Sequence, residues 1–164
     1  AFGQDPKSAE RITREVKKHA KQPVIMKLSP NVTSIAEMAK AVEAGGAAVI
    51  SLINTLTGMK IDIHRQTFAV ANKTGGVSGP AIRPIAVRMV YEAAQAVKVP
   101  LIGMGGITCG EDALEFILAG ASAVSVGTAN FYNPSATIEV AEGIEAYMRQ
   151  HKTEHFRDLI GLVY

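Results

Sequence analysis

The sequence of 164 residues contains one cysteine, Cys109, and no tryptophan. A single cysteine excludes a disulfide framework within the chain and a zinc site built from several cysteines. Sparse cysteine also suits a reducing compartment, so we expect a cytoplasmic protein. No hydrophobic run reaches the ~18 residues that a membrane-spanning helix needs. We therefore expect no membrane partner.

An excess of charge of one sign is lacking as well. Seventeen Lys and Arg residues against fifteen Asp and Glu residues leave a net charge of +2, with no basic block. Nucleic-acid-binding domains concentrate Lys and Arg in patches, so we expect no nucleic acid partner. The four histidines, His19, His64, His151 and His155, share no metal-ligand spacing. They are predicted to lie at the surface, and no metal site is expected.

What the sequence does have is an alternation of amphipathic and uniformly apolar segments. The amphipathic segments predict helices over 6–20, 33–44, 80–97, 110–119 and 134–150, with a last short helix at 154–159. The apolar segments predict strands over 24–28, 47–53, 100–104 and 122–126, and a glycine-containing loop follows the second strand. Apolar strands between amphipathic helices are typical of a parallel sheet covered by helices.

Several residues predict where the helices begin. Asp5 before Pro6 predicts the start of the first helix. Thr108 and Glu111 match the capping-box pattern, which predicts that they cap the helix over 110–119. Asn133 is predicted to cap the helix over 134–150.

An internal repeat indicates how these elements are arranged. Residues 44–49 resemble residues 119–124, and Thr33 and Thr108, at the predicted helix starts, keep the same offset. Repeated strand–helix–strand units favour a (β/α) barrel over a doubly wound sheet. A complete TIM (β/α)8 barrel has eight strands and about 250 residues, so four strands amount to half of one.

In such barrels the functional residues follow the C-terminal ends of the strands. Gly105-Gly106 and Gly127-Thr128 follow the last two predicted strands. Glycines let a ligand approach the backbone closely, and consecutive N–H groups attract an anion. These two loops therefore predict a phosphate site, in which a side chain at Gly106 would displace the phosphate. The alternative is that the glycines only make tight turns.

The first two strands end in polar side chains. Lys27 lies inside an apolar run, where a buried amine is costly unless it meets a partner. Its position at the strand end favours a lysine that points into the barrel mouth, where it would stabilise a developing negative charge. The alternative is a lysine that extends along the rim to solvent. Asn54 and Thr55 are suited to a polar planar ligand, or else to capping the loop that follows. The three glycines of 75–79 predict a second site of close backbone approach or a mobile loop.

Taken together, five segments resemble the dihydroorotate dehydrogenase family, in its bacterial NAD-linked class. They are VIMKLSPNVT (24–33), SLINT (51–55), GGVSGPAI (75–82), GMGGI (103–107) and VGTAN (126–130). The resemblance covers almost the whole chain, with the segments in family order. It implies that 1–164 is one segment, the C-terminal half of an FMN-binding TIM barrel, with the N-terminal half absent.

The resemblance also implies roles for single residues. Lys27 would lie beside the flavin and stabilise its reduced, anionic ring, while Ile53 would touch the ring through its backbone. Asn54 and Thr55 would bind the pyrimidine substrate. The remaining flavin-binding residues, which include the phosphate cradle, would be Gly79, Gly105, Gly106, Gly127 and Thr128.

The reaction that the resemblance implies is oxidation of dihydroorotate to orotate in pyrimidine biosynthesis. A base removes one proton while a hydride passes to FMN. The family's base is a cysteine in a motif that this chain lacks, and it is expected upstream of Ala1. Cys109 lies in a different loop and does not match it. The resemblance implies, as a partner, an iron–sulfur FAD subunit that passes electrons to NAD. We also expect a homo-oligomer.

Two kinds of alternative stay open. One is another FMN barrel that acts on pyrimidines, similar to dihydropyrimidine dehydrogenase or dihydrouridine synthase. The other is a half-barrel module without catalytic activity.

Overall fold

The computed structural model describes residues 2–163, so that Ala1 and Tyr164, the ends of the predicted segment, lie outside the described residues. The fold is α/β, as predicted. Its helices and strands, in chain order, are α1 (Pro6–His19), β1 (Ile25–Leu28), α2 (Ile35–Ala44), β2 (Val49–Leu52), β3 (Leu56–Met59), β4 (Ile61–Asp62), β5 (Thr67–Phe68), β6 (Thr74–Val77), α3 (Arg83–Ala94), β7 (Leu101–Met104), α4 (Gly110–Leu118), β8 (Ala123–Ser125) and α5 (Ala136–Gln150).

Four strands form the main sheet in the order β1-β2-β7-β8, and every neighbouring pair is parallel. The strands are those predicted from the apolar runs, each shorter by one to three residues. Between successive strands of this sheet the chain passes through α2, α3 or α4, as in a (β/α) barrel. The prediction of four parallel strands alternating with helices, half of a TIM barrel, is confirmed.

The strand register divides the sheet into two faces. Leu28, Leu52, Gly103 and Val124 lie side by side in one row. A Cβ at Gly103 would meet the Phe116 ring of α4 at 2.6 Å, so this row faces the helices. The buried core lies here, with fully buried side chains on both layers: Phe116, Ile35, Met38, Ile50, Leu52 and Leu101.

The neighbouring row, Lys27, Ser51, Ile102 and Ala123, points to the opposite face because side chains alternate along a strand. Its outer members, Lys27 and Ala123, are exposed. Ile25, on the same face, is 53% exposed. This open face corresponds to the interior of a barrel, and β1 and β8 are its edges.

The helix starts were predicted in part. Asp5 caps α1, where its carboxylate accepts a hydrogen bond from the Ser8 N–H. The capping box was wrong: the N-cap residue of α4 is Cys109, and Thr108 donates to Asp112, one residue beyond Glu111. The prediction that Asn133 caps the last helix was wrong as well.

Three helices begin later than predicted. α3 begins at Arg83, after a 3₁₀ turn over Pro80–Ile82. The N-cap residue of α5 is Ser135, because Asn133 Oδ1 accepts from the Ser135 N–H and so forms a turn before the helix. In α2 the N-cap residue is Ser34, whose hydroxyl accepts from the Glu37 N–H, so the helix begins after Thr33.

The segment after β2, predicted as a loop, contains two antiparallel ribbons. β3 pairs with β6, and β4 pairs with β5 between them. We call this segment, residues 56–77, the arm. Many of its apolar side chains are exposed, including Ile63 at 74%. A Cβ at Gly76 would clash with Thr55 Oγ1, so the absence of a side chain at Gly76 makes room for Thr55. Neither predicted role for this glycine accounts for that contact.

Candidate functional site

A cavity of about 210 Å³ lies at the C-terminal ends of the four parallel strands. It is lined by Lys27, Ile53, Asn54, Thr55, Ser78, Gly79, Ile82, Met104, Gly105, Gly106, Ile107, Thr108, Ser125, Gly127, Thr128, Ala129 and Tyr132. All nine residues predicted to bind cofactor or substrate are in this lining. The structure therefore brings together four separate loops that the sequence distributes over about a hundred residues.

Among residues 2–163, Lys27 is the one charged residue that lines this cavity. Its side chain is exposed, although the apolar run around it is typical of a buried strand. The physical reason is that β1 is an edge strand and Lys27 belongs to the open face, so no second layer covers it. Among residues 2–163 it forms no ion pair.

The Asn54 side chain is held by the backbone that follows it, and Asn31 holds the backbone at Thr55 and Thr57. The Thr55 N–H donates to Asn54 Oδ1 at 3.0 Å. Asn31 Nδ2 donates to the Thr55 carbonyl at 3.1 Å, and Asn31 Oδ1 accepts from the Thr57 N–H at 2.9 Å. The loop after β1 thereby fixes the loop after β2. Both hydrogen-bonding side chains, which are exposed, remain at the cavity wall.

Two glycines at the cavity have the backbone space of a ligand cradle. A Cβ at Gly79 or at Gly127 would meet no atom within 4 Å. Because both residues line the cavity, this open space belongs to the cavity. Gly79 has a φ of +96°, a backbone conformation that residues other than glycine rarely adopt. A ligand can therefore approach the backbone closely on two sides.

Gly106 has a different environment. A Cβ there would meet the Gly79 carbonyl oxygen at 2.7 Å and Arg83 Cβ at 3.0 Å. The absence of a side chain thus first allows the loop after β7 to pack against the start of α3. A side chain at Gly106 was predicted to displace a phosphate. Such a side chain would also clash with the protein itself, whether or not a ligand is bound.

The loops after β7 and β8 offer hydrogen-bond donors to the cavity. Within residues 2–163, no protein acceptor pairs with the backbone N–H of Gly106, Gly127 or Thr128. The Thr128 hydroxyl is 3.2 Å from that of Ser78, which connects the loop after β8 with the loop after the arm. Unpaired N–H groups around a concave surface are the chemistry of an anion site.

A buried carboxylate lies behind the loop after β7. Asp112, 6% exposed, accepts from the Thr108 N–H at 2.8 Å and from its hydroxyl at 2.6 Å, and Arg83 lies 2.5 Å from its other oxygen. Burial raises the pKa of Asp112, but the Thr108 hydrogen bonds and the Arg83 charge outweigh it, so the pKa lies below its usual value. Arg83 also pairs with Glu115 at 3.2 Å.

Some lining residues were not among the predicted site residues. Ser125 and Met104 lie on the open face at neighbouring strand ends. The alternation of β8 could have identified Ser125, since Ala123 and Ser125 share that face. Tyr132 follows the short 3₁₀ turn Thr128–Phe131 and carries no signal in the sequence.

Other residues with potential chemistry lie elsewhere. His19, His64, His151 and His155 are all exposed, as predicted. Cys109 is exposed at the start of α4 and is not in the lining of the cavity. In the part of the chain that the structure describes, no cluster of His, Cys, Asp and Glu could hold a metal ion, and no helix could span a membrane.

Comparison with known proteins adds a family to this geometry. Curated relatives named dihydroorotate dehydrogenase B (NAD(+)), catalytic subunit, include those of Lachnoclostridium phytofermentans, 69% identical over 99% of this chain, and Alkaliphilus oremlandii, 61% identical over 98% of it. The alignments cover 54% and 53% of those relatives, so the chain spans about half their length. A family profile described as dihydroorotate dehydrogenase matches residues 1–148. The chain therefore belongs to the dihydroorotate dehydrogenase family.

Proposed function

We propose that this chain is the C-terminal half of an FMN-dependent dihydroorotate dehydrogenase, and that 1–164 forms one segment of its barrel. The proposed reaction is oxidation of dihydroorotate to orotate, a step of pyrimidine biosynthesis. The observation that carries the proposal is the cavity at the strand ends, because all nine residues assigned from the family resemblance line it together. If these residues lay apart from one another, they could not bind one cofactor and one substrate together.

The residues present fit FMN. Gly79 and Gly127 leave open space where side chains would stand, and unpaired N–H groups of Gly106, Gly127 and Thr128 suit a phosphate. Gly105 precedes these donors with a φ of +133°. Ile53 supplies backbone and apolar surface beside Lys27 for a flat ring. When bound, FMN would supply the hydride acceptor of the reaction.

The protein's own groups would bind and orient the substrate and hold charge. Asn54 and Thr55 present amide and hydroxyl groups that match the hydrogen-bonding edge of a pyrimidine. Lys27 places a positive charge at the mouth of the cavity, where negative charge would develop. The general base is expected from the other half of the barrel, since Cys109 does not line the cavity.

We also propose a partner and a location. Relatives of this chain bear the name catalytic subunit of an NAD(+)-type enzyme, which supports a second subunit that transfers electrons, of the iron–sulfur FAD kind. Dihydroorotate and orotate would be the small-molecule partners. The single cysteine supports a cytoplasmic location. A homo-oligomer stays a prediction.

The test uses a complemented barrel: this chain co-expressed with the part of the Lachnoclostridium phytofermentans relative that it does not cover. We expect a yellow protein whose flavin absorbance is bleached by dihydroorotate without oxygen. Dihydrouracil, which lacks the carboxylate, is the matched control and should not bleach it. Bleaching by dihydrouracil alone would favour a dihydropyrimidine dehydrogenase-like enzyme, and a folded protein without flavin would favour a non-catalytic module.

A further inference from the structure

We propose that Asp112 is a positioning residue for the phosphate cradle: it holds the loop after β7 in the conformation that directs the Gly106 N–H at a phosphate. The inference rests on the proposed function, because it assigns a phosphorylated ligand to the cavity. It concerns a side chain that is itself absent from the lining of that cavity.

The carboxylate of Asp112 joins three parts of the fold. One oxygen accepts both the N–H and the hydroxyl of Thr108, at 2.8 and 2.6 Å. The other oxygen lies 2.5 Å from Arg83, the first residue of α3. Asp112 itself belongs to the first turn of α4. A single buried group therefore fixes the loop that ends at Thr108 against two helices.

That loop needs to be fixed because its glycines allow many conformations. Gly105 and Gly106 have φ values of +133° and +78°, and each lacks a side chain that would limit its motion. Their neighbour Thr108 is tied by two charge-assisted hydrogen bonds, which are stronger than neutral ones. Gly106 also packs against Arg83 Cβ, so the ion pair holds the loop from its other side.

Electrostatics alone predicts the opposite effect of removing the Asp112 charge. A carboxylate near an anion site repels the anion, so its neutralisation should strengthen phosphate binding. If Asp112 acts by position, its neutralisation should weaken phosphate binding. The sign of the change therefore separates the two effects.

The experiment measures FMN and riboflavin affinity for this chain by titration of its amide NMR spectrum, which also reports weak binding and folding. Riboflavin has the same ring and lacks the phosphate. We expect the wild-type chain to prefer FMN by at least tenfold, or about 1.4 kcal/mol. In Asp112→Asn the FMN affinity should fall by about tenfold while the riboflavin affinity changes by less than about twofold.

Two further variants complete the test. Thr108→Val keeps the side-chain shape and the charge but removes the hydroxyl donor, and it should reduce the preference for FMN by about threefold, roughly half of the tenfold effect in free energy. Thr108→Val provides the test of the positioning role if Asp112→Asn does not fold. Glu115→Gln alters the other ion pair of Arg83 without touching Thr108, and should leave both affinities unchanged.

The outcomes are distinguishable. A wild-type chain without any preference for FMN over riboflavin would overturn the phosphate site, and with it both this inference and the proposed cradle. A wild-type preference that persists or grows in Asp112→Asn and Thr108→Val would overturn the positioning role alone. Equal loss of FMN and riboflavin affinity would make Asp112 merely structural.

Discussion

Two glycines of the cradle differ in what a side chain would meet. At Gly106 a Cβ would collide with the Gly79 carbonyl oxygen, whereas at Gly127 it would enter open space. Gly127 has a φ of −108° and a ψ of −99°, which lies outside the main regions that residues with side chains adopt. We expect Gly127→Val to fold with a loss of about 1–3 kcal/mol in stability from backbone strain. It should also lower FMN affinity by at least tenfold, because its side chain would occupy the ligand's volume. Flavin fluorescence titration with a thermal melt checks both; wild-type FMN affinity would contradict the cradle.

Lys27 is expected to act on the reaction more than on the fold. Its side chain is exposed and unpaired within residues 2–163, so Lys27→Ala should leave stability nearly unchanged. In the complemented barrel it should slow flavin reduction by about 100- to 1000-fold, at about 1.4 kcal/mol per factor of ten. Anaerobic stopped-flow absorbance measures this rate. Lys21→Ala, an exposed lysine before β1, is the control, and equal rates for both variants would show that Lys27 has no role in the reaction.

The lowered pKa of Asp112 gives a pH dependence with a definite sign. Burial raises this pKa, but the Thr108 hydrogen bonds and Arg83 outweigh it in the folded chain, whereas the unfolded value is about 3.9. A depressed folded pKa contributes stability that is fully present above the unfolded value and is lost as the pH falls through the folded value. The stability advantage of the wild type over Asp112→Asn should therefore be constant at neutral pH and shrink below about pH 4. Urea unfolding across pH tests this, and an unchanged advantage at pH 3 would contradict it.

At the scale of elements, α4 and α5 touch through their glycines. A Cβ at Gly143 would lie 2.9 Å from the Gly110 Cα, and one at Gly110 would lie 2.6 Å from the Gly143 Cα. Helix propensity alone favours Gly143→Ala by about 1 kcal/mol. Because the contact is with backbone, overpacking of about 1–3 kcal/mol should win, and we expect net destabilisation. Urea unfolding measures it against Glu142→Ala, an exposed neighbour; a stabilised Gly143→Ala would contradict the close packing.

The main-sheet strands and the helices between them could be predicted because burial imposes a pattern on them. β2 and β7 are covered by helices, and their apolar runs stand out in the sequence. The arm could not be predicted in the same way. β6 reads TGGV and is exposed at every position, so neither alternation nor an apolar run marks it. Ribbons without a buried face leave little trace in a sequence.

The candidate site was predictable where the backbone itself carries the chemistry. Gly105, Gly106 and Gly127 were identified from their positions after predicted strands, and Gly79 from the family resemblance. The exposure of Lys27 could not be predicted, since it depends on β1 being an edge strand. The partner of Thr108 was misassigned because the sequence does not show that Asp112, rather than Glu111, is the acidic residue that Thr108 contacts.

At the scale of the whole molecule, the sheet has one finished face and one open face. Leu28, Leu52, Gly103 and Val124 face the helices, whereas Ile25 and Ala123 are exposed on the other side. Unpaired edges and exposed apolar strand residues favour association with further strands. A second four-stranded half-barrel would cover this face and pair with β1 and β8. It would also complete the wall of the cavity beside Lys27.

The last prediction is that this 164-residue chain by itself has no dihydroorotate dehydrogenase activity. Proton abstraction needs a positioned base, and the one thiol, Cys109, lies at the start of α4 outside the cavity lining. Lys27 stands exposed where a closed barrel would exclude water, so its charge is screened by solvent and stabilises a developing anion less. The assay uses the purified chain with dihydroorotate and an artificial electron acceptor, before and after the uncovered half of the Lachnoclostridium phytofermentans relative is added. We expect turnover only after mixing. Hydrogen exchange of the exposed edge amides of β1 and β8 should also be slower in the complex. Turnover by the chain alone would show that the open half-barrel holds a complete active site.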